Sequence, residues 1–332
     1  MRRLKAEWEK QQAIMLAFPH KESDWKDYIE EARENFLAII KQIIKFEKVI
    51  VCVDTQDFEG KKILEKYTSS FLEIISLRTN DTWARDFGPI SVVENKKIKL
   101  LDFGFNGWGL KFSANFDNQI SRKLFAKGVL KGEFEMMPII LEGGSIDTDG
   151  EGRLLTNTQC LLQANRNPFL SQNQLEEKLK QYLGIKEILW LHFGYLAGDD
   201  TDSHIDTLAR FLNPHTIAYV KCEDRDDEHY KELHNMEEEL LRLRTKEGKA
   251  YDLIPLPLPK PIYYENQRLP ASYVNFLFIN NALLVPLYQD EKDQEVLNIL
   301  RSVCKNIEVI GIDCSVLIRQ HGSLHCVSMQ IY

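Results

Sequence analysis

The feature that most constrains how this chain folds is a set of short apolar strands that recurs along its whole length. Five segments rich in Val, Ile and Leu begin about 50 to 66 residues apart, and each has the composition of a buried β-strand. They occupy residues 48–54, 98–105, 153–162, 216–222 and 282–288. A unit that recurs along a chain predicts a fold built from repeated structural modules.

A second apolar strand precedes each of the last four, across a short turn. The turns contain Asn, Asp, Gly or Pro, residues that readily adopt tight-turn conformations, so four β-hairpins are predicted. Their first strands occupy residues 90–93, 145–148, 207–212 and 274–279.

The strand at 48–54 has no such partner, but the chain ends on the apolar segment 326–332, which no further strand follows. We expect this C-terminal strand to pair with residues 13–18. The pairing would close five modules of about 66 residues each into a ring, and a closed ring leaves no sheet edge exposed. The chain is therefore predicted to be a single α/β domain spanning residues 1–332.

Four helices are predicted between the hairpins, on the outside of the ring. They occupy residues 24–46, 174–183, 227–244 and 290–303. The first has apolar residues at helical spacing, with Ser23 placed as its N-cap. The proline cluster at 255–261 predicts an extended excursion from the repeat.

The charge balance argues against several classes of protein. There are 42 Lys+Arg against 50 Asp+Glu, a formal net charge of −8, so no positive field would hold a phosphate backbone, and we expect no nucleic-acid partner. The apolar runs are far shorter than the roughly 18 residues a membrane span needs, and no apolar stretch follows the basic start as it would in a signal peptide. A cytoplasmic location and no membrane partner are expected.

The six cysteines lie far apart, with no Cys-x-x-Cys pair. They occupy positions 52, 160, 222, 304, 314 and 326. This spacing argues against a zinc site or a disulfide framework, so no metal and no other cofactor is expected, and any one thiol could be a nucleophile.

Polar residues stand at corresponding places, just before or at the first strand of each hairpin. They are Asp86, Glu142, His204 with Asp206, Asn275 and Cys326. In a ring, equivalent positions point to a common axis, so one thiol, one imidazole and several carboxylates are expected to meet in a central cleft. That set suits nucleophilic catalysis on a cationic substrate.

Each of these residues also has a purely structural interpretation. Cys326 could be a small buried apolar residue, and His204 could be a core histidine, although Asp206 at i+2 would point to the same side of an extended strand. Asp86 could cap the turn at Gly88. Asn275 could simply terminate a strand.

The remaining polar motifs are less specific. Asp199, Asp200 and Asp202 could form a solvated loop, since their spacing lacks the Gly and distal Glu of a calcium loop. The Gly143–Gly144 pair lacks the dinucleotide-binding fingerprint. Trp83 could belong to the core or wall a pocket for a flat cation.

Five motifs in order along the chain resemble those of the agmatine deiminase family, which shares a superfamily with bacterial peptidyl-arginine deiminases. They are NDTWARDFGP at 80–89, LEGGS at 141–145, GDDTDSHIDTLARF at 198–211, SYVNF at 272–276 and HC at 325–326. The resemblance covers nearly the whole chain. It implies the pentein fold, an α/β propeller of five pseudo-symmetric modules, in agreement with the repeat.

The resemblance also implies an activity, the hydrolysis of agmatine to N-carbamoylputrescine and ammonia through a covalent amidino-cysteine, in putrescine biosynthesis or agmatine catabolism. In family terms Cys326 is the nucleophile, His204 the general acid and base, and Asp86 and Asp206 the carboxylates that grip the guanidinium. The substrate-binding residues would be Trp83, Asp200, Asn275, Glu142 and Gly143. The expected partner is a small guanidinium cation, and a homodimer is the expected assembly.

Two departures from the family pattern bear on substrate preference. Many relatives carry a run of glycines before the His-Cys pair, whereas residues 321–324 here contain a single glycine, Gly322. Asp200 stands where Glu is common among relatives. One methylene less would lengthen the reach of this carboxylate to the substrate.

Other functions stay open on the sequence alone. The same chemistry could act on free arginine, with Arg85 or Arg210 binding the α-carboxylate, or on peptidyl arginine, or could transfer the amidine to an amine. A non-catalytic binding module on the same ring is the alternative from another class. The joint presence of Cys326, His204 and the two aspartates argues against it.

Overall fold

The computed structural model describes residues 2–67 and 69–332. Within these residues, five sheets repeat one arrangement: an antiparallel pair of strands followed by a third strand that runs parallel to the second. We number these modules I to V. Their three strands are Ser328–Ile331, Ala13–Ala17 and Lys48–Val53 (I); Ile90–Glu94, Lys97–Gly104 and Glu133–Ile140 (II); Ile146–Thr148, Arg153–Asn157 and Glu187–Leu191 (III); Ala209–Asn213, Thr216–Lys221 and Asp252–Pro257 (IV); and Leu277–Ile279, Ala282–Leu287 and Glu308–Asp313 (V).

Two modules carry an additional strand at an edge. Leu72–Ser76 extends module I in parallel to Lys48–Val53, and Arg2–Leu4 pairs antiparallel with Ile90–Glu94 in module II. A separate small hairpin joins Tyr263–Tyr264 to Gln267–Arg268.

The predicted closure of the ring is confirmed. The C-terminal strand pairs antiparallel with the N-terminal one, with Ser328 opposite Leu16 and Ile331 opposite Ala13. Module I is therefore assembled from both ends of the chain, and its hairpin-like pair has no connecting turn.

The position assigned to residues 48–54 in the repeat was wrong. Lys48–Val53 is the third, parallel strand of its module, and Ala13–Ala17 is the strand that corresponds to Lys97–Gly104 in module II. The third strands of the other modules were not predicted at all, because parallel pairing joins segments far apart in the chain and leaves no turn signal.

The proline cluster is part of this third-strand pattern. Asp252–Pro257 forms the edge strand of module IV, with Pro255 opposite Tyr219 and Pro257 opposite Lys221. An edge strand tolerates proline because one side of it makes no ladder hydrogen bonds. The predicted excursion is therefore limited to the residues after Pro257.

Several predicted bounds also change. The strand at 153–162 ends at Asn157, whose side chain accepts a hydrogen bond from the Gln159 N–H and starts the helical turn Thr158–Leu161. The strands at 207–212 and 274–279 begin only at Ala209 and Leu277. The residues before them form turns that lead to the centre of the ring.

The four longest helices follow the predicted spans with shifted ends. They are Ile29–Ile43, Gln172–Leu183, Tyr230–Arg242 and Asp293–Val303. Ser23 does not cap the first, because its hydroxyl donates to the His20 carbonyl and the 3₁₀ turn Lys26–Tyr28 intervenes. A capping box of Ser171 and Gln174 starts the second helix, and Gly184, at φ +70°, ends it.

Shorter helical segments occupy the connections and the centre of the ring. The α-helical ones are Phe58–Leu64, Ala84–Phe87, Ile120–Ala126 and Thr158–Leu161, and the remaining 3₁₀ turns are Asp117–Gln119, Gly143–Ser145, Ile205–Thr207 and Leu317–Gln320. Gly107–Leu110 is a single left-handed turn, with positive φ at all four residues.

The helices bury one face against the sheets. Helix Ile29–Ile43 packs on strands Lys48–Val53 and Glu308–Asp313, with Phe36, Ile39 and Ile40 fully buried. Each such side chain contributes about 1.5–3 kcal/mol of hydrophobic stabilisation. Within the described part of the chain, no helix is both long and apolar enough to cross a bilayer.

Candidate active site

Segments that precede the first strands of the modules meet at the centre of the ring. Helix Ala84–Phe87 contacts the turn Gly143–Ser145, which contacts the turn Ile205–Thr207. A cavity of about 480 Å³ opens there, and Asp86, His204, Asp206 and Cys326 all line it. The structure thus brings together four side chains that the sequence analysis placed at equivalent positions of different modules.

Cys326 lies in the turn just before the C-terminal strand, which begins at Ser328 and not at residue 326 as predicted, and its thiol is held in place on two sides. Asn275 Nδ2 donates to Sγ at 3.2 Å, and Sγ lies 3.7 Å from Asp206 Oδ2. Burial raises the pKa of the Cys326 thiol well above its ordinary value, and the nearby Asp206 and Asp86 carboxyls raise it further. The thiol is therefore protonated when the cavity holds no cation.

Asp206 is fully buried and uses only one of its carboxylate oxygens. Oδ2 lies 2.7 Å from His325 Nδ1, while Oδ1 has no partner. Burial alone would raise the pKa of Asp206, but the hydrogen bond and charge of His325, together with the charges of His204 and Arg210, hold this pKa below its usual range. Asp206 therefore lines the cavity as a charged carboxylate with one unpartnered oxygen.

Asp86 is held by two donors from neighbouring segments. Trp108 Nε1 donates to Oδ2 at 2.9 Å, and the Gly144 N–H donates to Oδ1 at 2.9 Å. Burial, followed by the charges of Asp206 and Glu142, raises the pKa of Asp86 well above its ordinary value. The two aspartates of the cavity therefore differ in charge when it is empty, although both are oriented by fixed hydrogen bonds.

His204 completes the set. Its Nδ1 lies 3.8 Å from Asp86 Oδ1, and its Nε2 is buried without a partner. Burial lowers the pKa of His204 to about 3, although the charge of Asp206 opposes this shift. A neutral imidazole with a free nitrogen can accept a proton and later return it.

The backbone before His204 is strained. Asp202 and Ser203 adopt left-handed conformations at φ +67° and +66°, which non-glycine residues rarely do. Asp202 is fixed by Arg166 at 2.7 Å and by Lys111 at 2.8 Å. These contacts hold the loop in the conformation that presents His204 to the cavity.

Trp83 and Asp200 line the same cavity. Trp83 Nε1 donates to Asp81 Oδ2 at 3.1 Å. Its ring lies against Gly322, since a Cβ there would approach the indole to 2.1 Å. Burial and the charge of Asp199 raise the pKa of Asp200 to about 6. Trp83 therefore provides a flat wall of the cavity, and Asp200 provides a further carboxyl group.

The other three predicted binding residues do not line the cavity. Asn275 acts on Cys326 instead, and its Oδ1 also accepts from the His325 N–H at 2.9 Å. Glu142 is fully buried and bound to Arg166. Gly143 packs against Arg85, where a Cβ would lie 2.2 Å from the backbone oxygen. Direct substrate contact by Glu142 and Gly143 is not supported by this geometry.

Two residues to which the sequence analysis gave no role, Gly144 and Trp108, contribute to the geometry of the site. Gly144 lies between three site residues, because a Cβ there would be 2.6 Å from His204 Nδ1, 2.9 Å from Asp86 Oδ1 and 3.0 Å from Asp206 Oδ2. Trp108 orients Asp86 from a left-handed turn that includes Gly107 and Gly109. The turn was visible in the sequence only as two glycines flanking a tryptophan.

One cluster has the composition of a metal site. Ligand atoms of Glu142, Cys160 and His204 lie within 4.8 Å of one another. However, Arg166 Nε donates to both oxygens of Glu142 at 2.9 Å, with both side chains fully buried. Because a guanidinium already compensates this carboxylate, we assign no metal to the cluster.

A model of the Porphyromonas-type peptidyl-arginine deiminase family matches residues 3–331. The chain belongs to this family. A curated relative, agmatine deiminase of Pseudomonas aeruginosa strain LESB58, is 31% identical and aligns with 99% of this chain and 95% of its own length. The fold is the pentein α/β propeller that the family resemblance implied, in agreement with the ring of five modules predicted from the repeat.

Solved structures agree with this membership. A crystal structure provisionally described as a peptidyl-arginine deiminase is 56% identical, covers 100% of this chain and 98% of its own, and superposes with a TM-score of 0.97. A Campylobacter jejuni agmatine deiminase, with one cysteine replaced by serine and substrate bound, is 45% identical, covers 100% and 96% of the two chains and has a TM-score of 0.93.

The two arginines that the sequence analysis considered as ligands for the α-carboxylate of free arginine do not lie at the cavity. Arg85 and Arg210 are buried and paired with Glu7, and neither lines the cavity. The lysine that does line it, Lys111, is bound to Asp202 and to the Asp200 carbonyl. A carboxylated substrate would therefore have to compete for Lys111.

Proposed function

We propose that this protein hydrolyses the guanidinium group of agmatine to N-carbamoylputrescine and ammonia. The observation that carries the proposal is the free Asp206 Oδ1, in the same cavity as Asp86 and beside the Cys326 thiol. A planar cation between two oriented carboxyl groups forms charge-assisted hydrogen bonds, and these would direct its carbon toward sulfur.

Binding of the cation supplies the charge that the empty cavity lacks. A guanidinium beside Asp86 favours the ionised form of that carboxyl, whose proton passes to solvent as the cation enters and returns when the product leaves. The guanidinium likewise favours the thiolate of Cys326. We infer that the thiol proton passes to the free nitrogen of His204 as the substrate arrives. The enzyme is thereby activated only when a guanidinium is in place.

The reaction then proceeds in two displacements. Sulfur forms a bond to the guanidinium carbon, the bond to one terminal nitrogen breaks, and His204 gives its proton to that nitrogen, which leaves as ammonia. In the second half, water gives a proton to His204 and its oxygen bonds to the carbon. The carbon–sulfur bond breaks, the hydroxyl proton of the adduct passes to sulfur, and His204 releases its proton to solvent, where ammonia takes it up as ammonium. The urea product is then released with the thiol and the neutral imidazole restored.

The charges of the cavity lining favour agmatine over arginine as the substrate. At the end remote from the guanidinium, agmatine carries only an ammonium, whereas arginine carries a carboxylate as well. Beyond Asp86 and Asp206 the lining has one lysine, Lys111, and six acidic side chains: Glu22, Asp24, Asp81, Asp117, Asp199 and Asp200. The exposed Glu22 and Asp24 carry full charge, whereas burial raises the pKa of Asp81 to about 7 and that of Asp200 to about 6. A second positive charge is attracted there, whereas a carboxylate is repelled.

A product assay tests the proposal directly. The purified protein is incubated with agmatine, free arginine and an arginyl peptide, and ammonia and the urea product are measured. We expect carbamoylputrescine from agmatine, and near-complete loss of turnover in Cys326→Ser, because a serine hydroxyl is a far poorer nucleophile. Unchanged turnover in that variant would rule out the assigned nucleophile, and no turnover of any of the three would favour a binding module.

The wider setting is part of the proposal. We infer a single catalytic domain over residues 1–332, supported by one buried apolar cluster that includes residues of all five modules. The six cysteines are free, which supports action in a reducing cytoplasm, in putrescine formation or agmatine breakdown. The homodimer and the absence of nucleic-acid and membrane partners stay predictions.

A further inference from the structure

Glu7 connects the N-terminal segment to the active site without touching the cavity. It lies between strands Arg2–Leu4 and Ala13–Ala17 and lines a separate small cavity of about 50 Å³, together with Arg85 and Asp147. Only 12% of its side chain is exposed. The proposed reaction gives this buried carboxylate no task.

His325 bridges Glu7 and Asp206. Its Nε2 lies 2.8 Å from Glu7 Oε1, and its Nδ1 lies 2.7 Å from Asp206 Oδ2. The His325 and Asp206 side chains are 1% and 0% exposed. Nitrogen–oxygen contacts this short between an imidazole and carboxylates require a proton in each. The chain Glu7–His325–Asp206 therefore holds two protons, and both lie on the imidazole while the two carboxylates are ionised. Burial, followed by the charges of Arg210 and Arg85, lowers the pKa of His325, whereas Glu7 and Asp206 favour this protonated form.

The charge of Glu7 decides where the first of these protons lies. Its Oε1 is 3.3 Å from Arg85 Nη1, and its Oε2 accepts from Arg210 Nη2. Burial alone would raise the pKa of Glu7, but the charges of Arg210, His325 and Arg85 hold this pKa well below its usual range. Because Glu7 stays ionised, the proton of that contact lies on His325 Nε2.

We propose that Glu7 is a positioning residue that acts through His325 on Asp206. By accepting the Nε2 proton, Glu7 sets the ring orientation in which Nδ1 faces Asp206 Oδ2. That contact leaves Oδ1 without a partner and keeps on Asp206, a residue that lines the cavity, the negative charge that binds the guanidinium. This inference deepens the proposed function and rests on it.

The charged and titratable groups around Asp206 and Glu7 determine the direction of the pH effect. Those that face Asp206 are Asp86, His204, Arg210, His325 and Cys326. Those that face Glu7 are Arg85, Arg210, Asp147, His325 and Tyr332. When the acceptor on Nε2 is a neutral amide instead of a carboxylate, the hydrogen bond to it is weaker, and the imidazole is held less firmly and donates less well to Asp206. The pKa of Asp206 then rises, and because the ionised form binds substrate, activity is lost at a higher pH on the acid side.

A double-mutant cycle tests whether Glu7 acts through His325 or only balances the charges of Arg85 and Arg210. It consists of Glu7→Gln, His325→Gln and the variant with both changes. For each single change we expect kcat/KM with agmatine to fall about 10- to 100-fold, with the acid limb of its pH profile moved up by about one unit. If Glu7 acts through His325, the double variant falls no further than His325→Gln alone. Losses that multiply would overturn the proposal.

Glu9→Gln is the matched control. Glu9 lies in the same segment, accepts from Arg3 and pairs with Lys5, and has no contact with His325. We expect a wild-type pH profile for it. A Glu7→Gln protein with the wild-type profile would also overturn the proposal, while the proposed function would stand on the activity of the wild type.

Nitrogen-15 NMR of the histidine-labelled chain reads the contact without turnover. The chain has 8 His, and His325 is assigned by its absence in His325→Gln. We expect its Nε2 to be protonated in the wild type and in Glu9→Gln, and its signals to shift in Glu7→Gln. Unchanged signals in Glu7→Gln would overturn the proposal about Glu7, whether or not the protein turns over any substrate. Absence of turnover in the wild type would by itself reject only the proposed function.

Discussion

Arg166 donates through Nε to both carboxylate oxygens of Glu142, and neither side chain is exposed to solvent. The same guanidinium binds Asp202 at 2.7 Å and the Thr201 carbonyl at 2.8 Å. A single side chain therefore compensates the buried charge that precedes module III and fixes the strained loop that carries His204.

Replacing Arg166 with Met should strongly destabilise the protein. The change leaves the Glu142 carboxylate buried without a counter-charge, which costs about 3–5 kcal/mol of the free energy of unfolding. Urea denaturation measures the loss. Arg242→Met is the control, since Arg242 pairs with Glu238 on an exposed helix face and should cost less than about 0.5 kcal/mol. Equal losses in the two variants would contradict the assignment.

Gly144→Ala should reduce turnover more than stability. The added Cβ would push against His204, Asp86 and Asp206, and a displacement of about 1 Å at reacting groups can cost about 100-fold in rate. Steady-state kinetics with agmatine measures the effect. Gly248→Ala is a control of the opposite kind: it strains a turn at φ +78° with open space around it, so stability should fall while kcat stays unchanged. A fully active Gly144→Ala enzyme would mean that the three side chains do not need their present spacing.

Trp108→Phe tests the orientation of Asp86. The substitution keeps the ring but removes the Nε1 donor that lies 2.9 Å from Asp86 Oδ2. A lost hydrogen bond to a charged group in the substrate complex should lower kcat/KM about 10-fold or more. Trp190→Phe is matched to it, because Trp190 also donates to a carboxylate, Glu176, but away from the cavity. We expect wild-type kinetics for that control, and a similar fall in both variants would argue against a specific role of Trp108.

Asp206→Asn should make the resting thiol more reactive while it abolishes turnover. Asp206 is one of the charges that raise the pKa of Cys326, so its removal lowers this pKa and increases the thiolate fraction at a given pH. The rate of alkylation by iodoacetamide between pH 7 and 10 measures the shift, with Cys326→Ser as the blank. Glu47→Gln changes another buried carboxyl, whose pKa burial raises to about 7 far from the thiol, and should leave the alkylation profile unchanged. Slower alkylation in Asp206→Asn would contradict the assigned electrostatics.

The parts of the fold that could be predicted are those encoded by local pattern. The hairpin of Lys97–Gly104 with Ile90–Glu94 was readable because alternating apolar residues flank a turn of Glu, Asn and Lys, and the closing strand was readable because it lacked any other partner. The third strands were not readable. Asp252–Pro257 contains two prolines and pairs in parallel with residues about 36 positions away. Its own sequence therefore does not indicate a strand, and its position in the sheet follows only from its pairing with Thr216–Lys221.

The same division holds at the site. Asp86, His204, Asp206 and Cys326 could be singled out because each occupies an equivalent place in a repeat, and the repeat brings these places to one axis. Glu142 occupies an equivalent place as well, but it is bound to Arg166 and does not line the cavity. Its partner comes from a loop with no repeat equivalent, so no pattern in the sequence predicted the pair.

The sequence by itself determined the modular ring, the family and the candidates for the reacting groups, because strand periodicity, turn residues and motif order are local properties of the chain. Only the tertiary structure decided which of those groups are free to bind a substrate. Whether a carboxylate is charged and unpartnered depends on burial and on contacts such as Glu7 with His325, which join residues 318 positions apart. Burial and long-range hydrogen bonds exist only once the ring has closed.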